Sequence, residues 1–461
     1  MSTTTPSPTT VPASSAGGST SGLSAGASPA ATPSLRDLAG QAKADRNRAI
    51  DLYRVVAMLA VAFGHWFAMV AIVDDGELVG GNALEFVPSM AWLSWALQVM
   101  PLFFVVGGFS SAMSLDSHNR DGGNPQDWVA ARLRRMLPPA VTLAATWLVV
   151  LVLARLAGLL ELATIGAFAA AVPLWFLANY TIDTALAPYV LPRFRRNPGL
   201  TAAAIVGAFV FFEILRVLGV AYLPQVNWVL GWLSFQVLGF AWRDGLLPTG
   251  RRLLTLAAAC WVGTLALVLS GGPWTISMVN WAGLENSPTN PPTLSLLVFG
   301  AAYSLTAIAA APAISAAVAA RPKVWAGVVA ANTVAMSVYL WHMTAAVIVS
   351  AAIHLTIGLP EVVVGSAGWW WWKVPTIVGS MLVLAPIVAV VSKVERRALL
   401  APRRPWDGGP VSMAVVAVVA SIALKWWTSG DLTVVVACLV VLIALGHTVL
   451  APSKEVASAS R

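Results

Sequence analysis

The chain has 461 residues, of which 58% are hydrophobic and only 10% charged, with a mean hydropathy of +0.77. Soluble domains carry about 25% charged residues, so this composition excludes a soluble globular protein and points to a polytopic membrane protein. The net charge of +8 does not signal nucleic acid: the positive residues sit in short clusters between apolar spans, the pattern of cytoplasmic loops.

Residues 1–45 are rich in Ser, Thr, Pro, Ala and Gly and are expected to form a disordered cytoplasmic tail, because they bury too little surface to fold. No apolar core of a signal peptide follows the start. Twelve spans are predicted beyond it, at residues 49–72, 90–116, 136–158, 164–190, 199–220, 225–243, 252–271, 293–319, 327–356, 374–392, 411–427 and 432–451. The fold class is therefore all-α, a transmembrane helical bundle. Its ten-span core falls within residues 46–400, and residues 401–461 add two spans as a C-terminal hairpin and tail. With the N-terminus inside, 23 Lys and Arg fall in inner segments and three, Arg155, Lys373 and Lys425, in outer ones. That bias predicts a multi-pass plasma-membrane protein with a cytoplasmic N-terminus.

The first span opens Arg48-Ala-Ile-Asp51-Leu-Tyr-Arg54 and runs without a polar residue from Val55 to Phe63, ending Gly64-His65-Trp66. Eleven residues separate Arg54 from His65, which places them about 20° apart around a helix and about 16 Å apart along it. Asp51, Arg54, Met58, Ala62 and His65 thus share one stripe. Ionised or imidazole groups inside a span usually face a bundle interior and mark a functional path; the alternative is that Arg54 snorkels to the headgroups, Asp51 starts the helix and His65 is a packing histidine.

Two outer loops follow from the alternation. Residues 73–89 hold four acidic residues, and residues 272–292 mix Trp274, Trp281, Asn280, Asn286 and Glu285. Aromatic faces beside amides suit a sugar-like ligand, so Trp281 and Asn286 are candidate substrate contacts. An interfacial loop is the alternative, as Trp is enriched at membrane interfaces. The run Trp369 to Trp372 reads as an outer aromatic belt.

Inside the spans, Gly107-Gly108 favours close helix packing. Arg132-Leu-Arg134-Arg135 before Pro138-Pro139 either anchors the third span or holds the phosphates of an anionic cofactor, for which guanidinium groups are suited. Ser337-Val-Tyr339-Leu-Trp341-His342 brings a second intramembrane histidine with hydroxyls on its helix, whereas His354 reads as structural. Glu213 and Arg216, three residues apart, neutralise each other. Cys260 and Cys438 read as buried fillers, and no zinc spacing is present, so no metal is expected.

Arg-x-x-Asp-x-x-Arg, with a histidine eleven residues after its last Arg, resembles the first-span signature of the membrane acyltransferase-3 family. Phe103-Phe104-Val-Val-Gly-Gly108-Phe109, the Arg132/Arg135 cluster, Leu174-Trp175-Phe176-Leu177 and Val338 to His342 resemble its later motifs in order, over residues 46–400. The family usually has Ser where Gly107 stands and often Pro where Thr344 stands. The resemblance implies an integral membrane acyltransferase. The acyl group, expected to be acetyl, would pass from cytosolic acyl-CoA to a hydroxyl of an extracytoplasmic glycan, lipid or glycosylated metabolite. It also implies His65 as the essential histidine, with Arg54 as companion; His65 would act either as general base on the acceptor hydroxyl or as a transient acyl carrier. On this reading Asp51 pairs with Arg54 at the inner mouth, Arg48, Arg132 and Arg135 hold the CoA phosphates, and His342 and Tyr339 stand near the acceptor. A transporter or flippase is the alternative, favoured by intramembrane charge and broken spans; no repeat between the chain's halves supports it.

Overall fold

The computed structural model describes residues 47–281, 283–400 and 432–450. The predicted 1–45 tail and the 411–427 span lie outside the described residues. Among the described residues, twelve helices of ten or more residues carry the fold: α1 (Arg48–Ala68), α2 (Met100–Arg120), α3 (Pro125–Leu156), α4 (Leu160–Ala171), α5 (Leu174–Arg196) and α6 (Pro198–Val217) lead. They continue with α7 (Asn227–Arg243), α8 (Gly250–Leu269), α9 (Leu294–Ala319), α10 (Pro322–Thr356), α11 (Ala367–Leu400) and α12 (Leu432–Leu450). Among the described residues, nine helical segments are long and apolar enough to cross a membrane. The protein is thus an all-α, multi-pass bundle, as the composition requires.

The basic end of α5 meets the ends of α2 and α7 on one face of the bundle. There Arg195 of α5 donates to both carboxylate oxygens of Asp116 on α2 (2.6 and 3.0 Å) and of Asp244 just past α7 (2.7 and 2.8 Å), tying three helix ends together. The opposite face carries a β-hairpin and the long 270–293 connection.

The hairpin was not expected. The first helix stops at Ala68, not residue 72, and Met69–Asp74 (β1) pairs antiparallel with Glu77–Asn82 (β2). Asp75 and Gly76 both have positive φ (48° and 83°), the turn that the right-handed twist of two strands favours. Alternation in β1 buries Val70 and Ile72 against Trp369 and Val364. Lys373 seals the junction: its ammonium donates to Trp66 O (3.3 Å) and Met69 O and lies 4.8 Å from the Trp369 ring centroid. A buried cation at a helix C-terminus offsets the dipole there. Trp369 is therefore not part of an outer belt; it is buried beneath the hairpin, and within the four-Trp run only Trp371 is largely exposed, at 77%.

Three further boundaries differ from the sequence reading. α3 begins at Pro125, capped by Asn124, and passes through Pro138 and Pro139, so the arginine cluster lies on a helix. The predicted 164–190 span is two helices broken at Val172–Pro173. A proline ring cannot sit against the preceding turn, and the Tyr339 hydroxyl donates to the Pro173 carbonyl (3.2 Å), satisfying a group that lipid would leave bare. Before α2, the predicted 90–116 span opens as short helical turns at Pro88–Leu93 and Ser94–Leu97.

α2 and α7 cross closely because both present glycine at the contact. A Cβ on Gly108 would strike Gln236 O, and one on Gly239 would strike Val105 O. Gly108 is thus a packing glycine, the small-residue approach typical of membrane helices. α12 packs against α3.

Candidate active site

α1 and α10 lie side by side, and their contact joins the two intramembrane histidines. His65 Nδ1 and His342 Nε2 are 2.8 Å apart, with rings nearly coplanar at 8°. His342 is fully buried, and its Nδ1 lies 2.6 Å from Tyr339 O. A carbonyl only accepts, so Nδ1 of His342 carries the proton and its Nε2 holds a lone pair. That lone pair accepts from the Nδ1–H of His65, and Nε2 of His65 is left unprotonated. The indole of Trp66 donates to His342 O (2.9 Å), and Trp147 donates to Thr344 Oγ1 (3.1 Å), fixing this stretch of α10. The backbone carbonyl of Tyr339 thereby sets, through two imidazoles, which nitrogen of His65 is basic.

Half-buried His65 lines a chamber of about 720 Å³. Its walls come from α1, the hairpin, the turns before α2, α4, α10 and the long connection. Tyr339, Trp281, Asn280 and His354 also line it. His342 does not; it stands behind His65. His354, read as structural from sequence, faces the chamber. Within the connection, Trp281 and Asn280 also line a second cavity of about 420 Å³, with Arg216, Asn286, Ser287 and Asn290. The candidate residues Trp281 and Asn286 thus belong to adjoining spaces.

Glu213 shapes that connection. It is buried at 2% exposure, pairs with Arg216 (2.8 and 3.0 Å), and accepts from Trp274 Nε1 (2.9 Å) and Leu294 N (3.1 Å). One carboxylate therefore pins both ends of the loop. Trp95 donates to Ile276 O (2.7 Å), and Trp228 to Asn290 Oδ1 (2.7 Å), so the loop is a folded wall.

Toward the basic face, Arg54 lies 3.6 Å from buried Asp51 and donates to Ser110 Oγ (2.8 Å). Arg132 donates to Ser114 Oγ (2.5 Å), stacks over Trp128 at 4.9 Å, and lies within electrostatic reach of Arg54, Arg135 and Tyr180. Arg135 is exposed. Arg48 instead stacks on Trp325 at 5.4 Å, about 120° around α1 from Arg54. The structure thus gathers Arg54, Arg132 and Arg135 but leaves Arg48 on another flank. The serines that hold Arg54 and Arg132 were missed in sequence, although Ser110 directly follows the Gly108-Phe109 pair.

None of Arg54, Arg132 or Arg135 lines the chamber. Met58 and Ala62 are buried between Arg54 and His65 on the shared stripe. Phe103, Phe176, Tyr180 and Tyr339 form a contiguous aromatic cluster between the two regions, with centroids 4.9 to 6.1 Å apart. Gly107 backs Tyr180, whose ring a Cβ there would crowd at 2.9 Å. That accounts physically for glycine at this position. Among the described residues no cluster of three or more His, Cys, Asp or Glu could hold a metal.

The fold defines a multi-pass membrane protein whose helices bring two intramembrane histidines into contact. A family model described as an acyltransferase domain matches residues 47–393. The chain therefore belongs to the acyltransferase-3 family and is a membrane acyltransferase. No curated protein and no solved structure matches it.

Proposed function

We propose that this enzyme moves an acyl group from acyl-CoA to a hydroxyl of an extracytoplasmic glycan, lipid or glycosylated metabolite, with His65 as general base. The observation that carries this is the His65–His342–Tyr339 relay, which leaves His65 Nε2 basic at the wall of a chamber. The basic face is taken as cytoplasmic. Arg132 and Arg135 hold the CoA phosphates there, and Arg54, braced by Asp51 and Ser110, orders the mouth. Rotation of the Phe103 and Tyr180 rings admits the pantetheine arm toward His65.

The chemistry needs no group beyond donor, acceptor and chain. His65 Nε2 takes the acceptor's hydroxyl proton as its oxygen attacks the thioester carbonyl. The carbon–sulfur bond breaks, the imidazolium returns the proton to the thiolate, and ester and free CoA leave. General-base help is worth about 10² to 10⁴-fold in rate. Trp281 and Asn286, in and beside the chamber, receive the acceptor.

Purified protein in detergent should release free thiol from acyl-CoA when supplied with acceptor-rich envelope extract, and His65→Ala should abolish the release. Substrate movement across vesicles without acyl-CoA consumption would instead favour a transporter.

A further inference from the structure

We infer that the chamber at His65 is a pocket for a hydrocarbon acyl chain several carbons long, rather than for acetyl; this rests on the acyl-transfer reading above. Away from the Asn280–Trp281 side, the walls include Gly64, Leu97, Leu162, Ile165, Val347 and Ala351. At about 30 Å³ per water, 720 Å³ is roughly two dozen water volumes. An acetyl group fills a small corner of that. The remainder would hold water against walls that are mostly apolar, with Asn82, Glu85, Ser350 and His354 among the polar exceptions. Water beside an activated thioester also diverts the acyl group to hydrolysis. A longer chain removes both problems at once.

The directions at the reacting carbon assign the occupant. Sulfur points toward the basic face, where the arginines are. The attacking oxygen comes from the 420 Å³ cavity that shares Asn280 and Trp281 with the chamber. The acyl substituent is left with the apolar walls. The acceptor has its own polar space, so the hydrocarbon belongs to the donor. Small side chains make the room: Gly64 sits one residue before His65, and Ala169 and Ala351 line facing elements, α4 and α10.

The test uses the full chain in nanodiscs and non-hydrolysable S-alkyl-CoA thioethers of increasing length. Each methylene that leaves water for the chamber should tighten binding about four-fold until the chamber is full. Ala169→Phe and Ala351→Phe should flatten that series and shift the preferred donor in turnover toward acetyl-CoA. Affinity independent of chain length, or a length series unchanged in both filled variants, overturns the inference. So does a length preference that follows a lipid acceptor instead of the donor. Failure of the general-base reading would show differently, as His65→Ala transferring normally with the length series intact.

Discussion

His65 Nδ1 lies 2.8 Å from His342 Nε2, although 277 residues separate them in the chain. The pair turns two imidazoles into one device: the buried inner ring is fixed by a carbonyl, and the half-buried outer ring is oriented by the inner. His342 is on this account a positioning residue, since it does not reach the chamber. His342→Ala should lower kcat at least about tenfold, short of the full 10² to 10⁴-fold of base catalysis, with little change in KM for acyl-CoA. His342→Gln, whose amide oxygen can accept from His65 Nδ1–H, should recover part of the loss. Equal activity of the Ala and Gln variants would remove the tautomer argument.

On the proposed function, Arg132 and Arg135 hold the donor's phosphates. Hydrogen bonds to charged groups contribute about 1.5–3 kcal/mol, so Arg132→Ala with Arg135→Ala should raise the KM for acyl-CoA tenfold or more. The kcat should change far less. Arg48→Ala, on a different flank and stacked on Trp325, should leave that KM within a factor of about two. Steady-state kinetics over a range of acyl-CoA concentrations separates these outcomes.

The α2–α7 crossing should be intolerant of any Cβ. Gly108→Ala or Gly239→Ala meets backbone atoms, and overpacking of this kind costs about 1–3 kcal/mol. Gly64→Ala meets only Leu97 side-chain atoms at 3.6 Å or more and should be neutral. Thermal unfolding in detergent, read by tryptophan fluorescence, would rank the three.

Glu213 holds the long connection at both ends. Glu213→Gln loses the ion pair with Arg216 and weakens both anchors, so protease cleavage within residues 272–292 should accelerate. The acceptor KM should rise while acyl-CoA affinity stays unchanged. A cleavage rate equal to wild type would show that Trp95, Trp228, Gln98 and Ser94 hold the loop without Glu213.

Hydropathy made the bundle legible, because lipid demands long apolar helices, and the eleven-residue spacing placed Arg54 and His65 on one stripe. The expectation that Glu213 and Arg216 pair holds in the structure. What stayed hidden depends on contacts between distant segments. His342 was visible as an intramembrane histidine, yet nothing in the pattern of α10 says that its ring meets α1. The hairpin had a local signal, Asp75-Gly76 between apolar alternation, but the apolar run continues through Val73 and hides the end of the helix. Lys373 and Trp369 looked like interfacial residues because their burial depends on that unforeseen hairpin. The break at Pro173 was masked by apolar residues on both sides.

The central claim is that His65 and His342 act as one unit in acyl transfer. Its most direct test is the transfer rate from labelled acyl-CoA for His65→Ala, His342→Ala and the double variant, in membranes with matched expression. Residues that work as a unit are strongly non-additive, so the double variant should be no slower than His65→Ala alone. Single effects that multiply in the double variant, or undiminished transfer by His65→Ala, would contradict it.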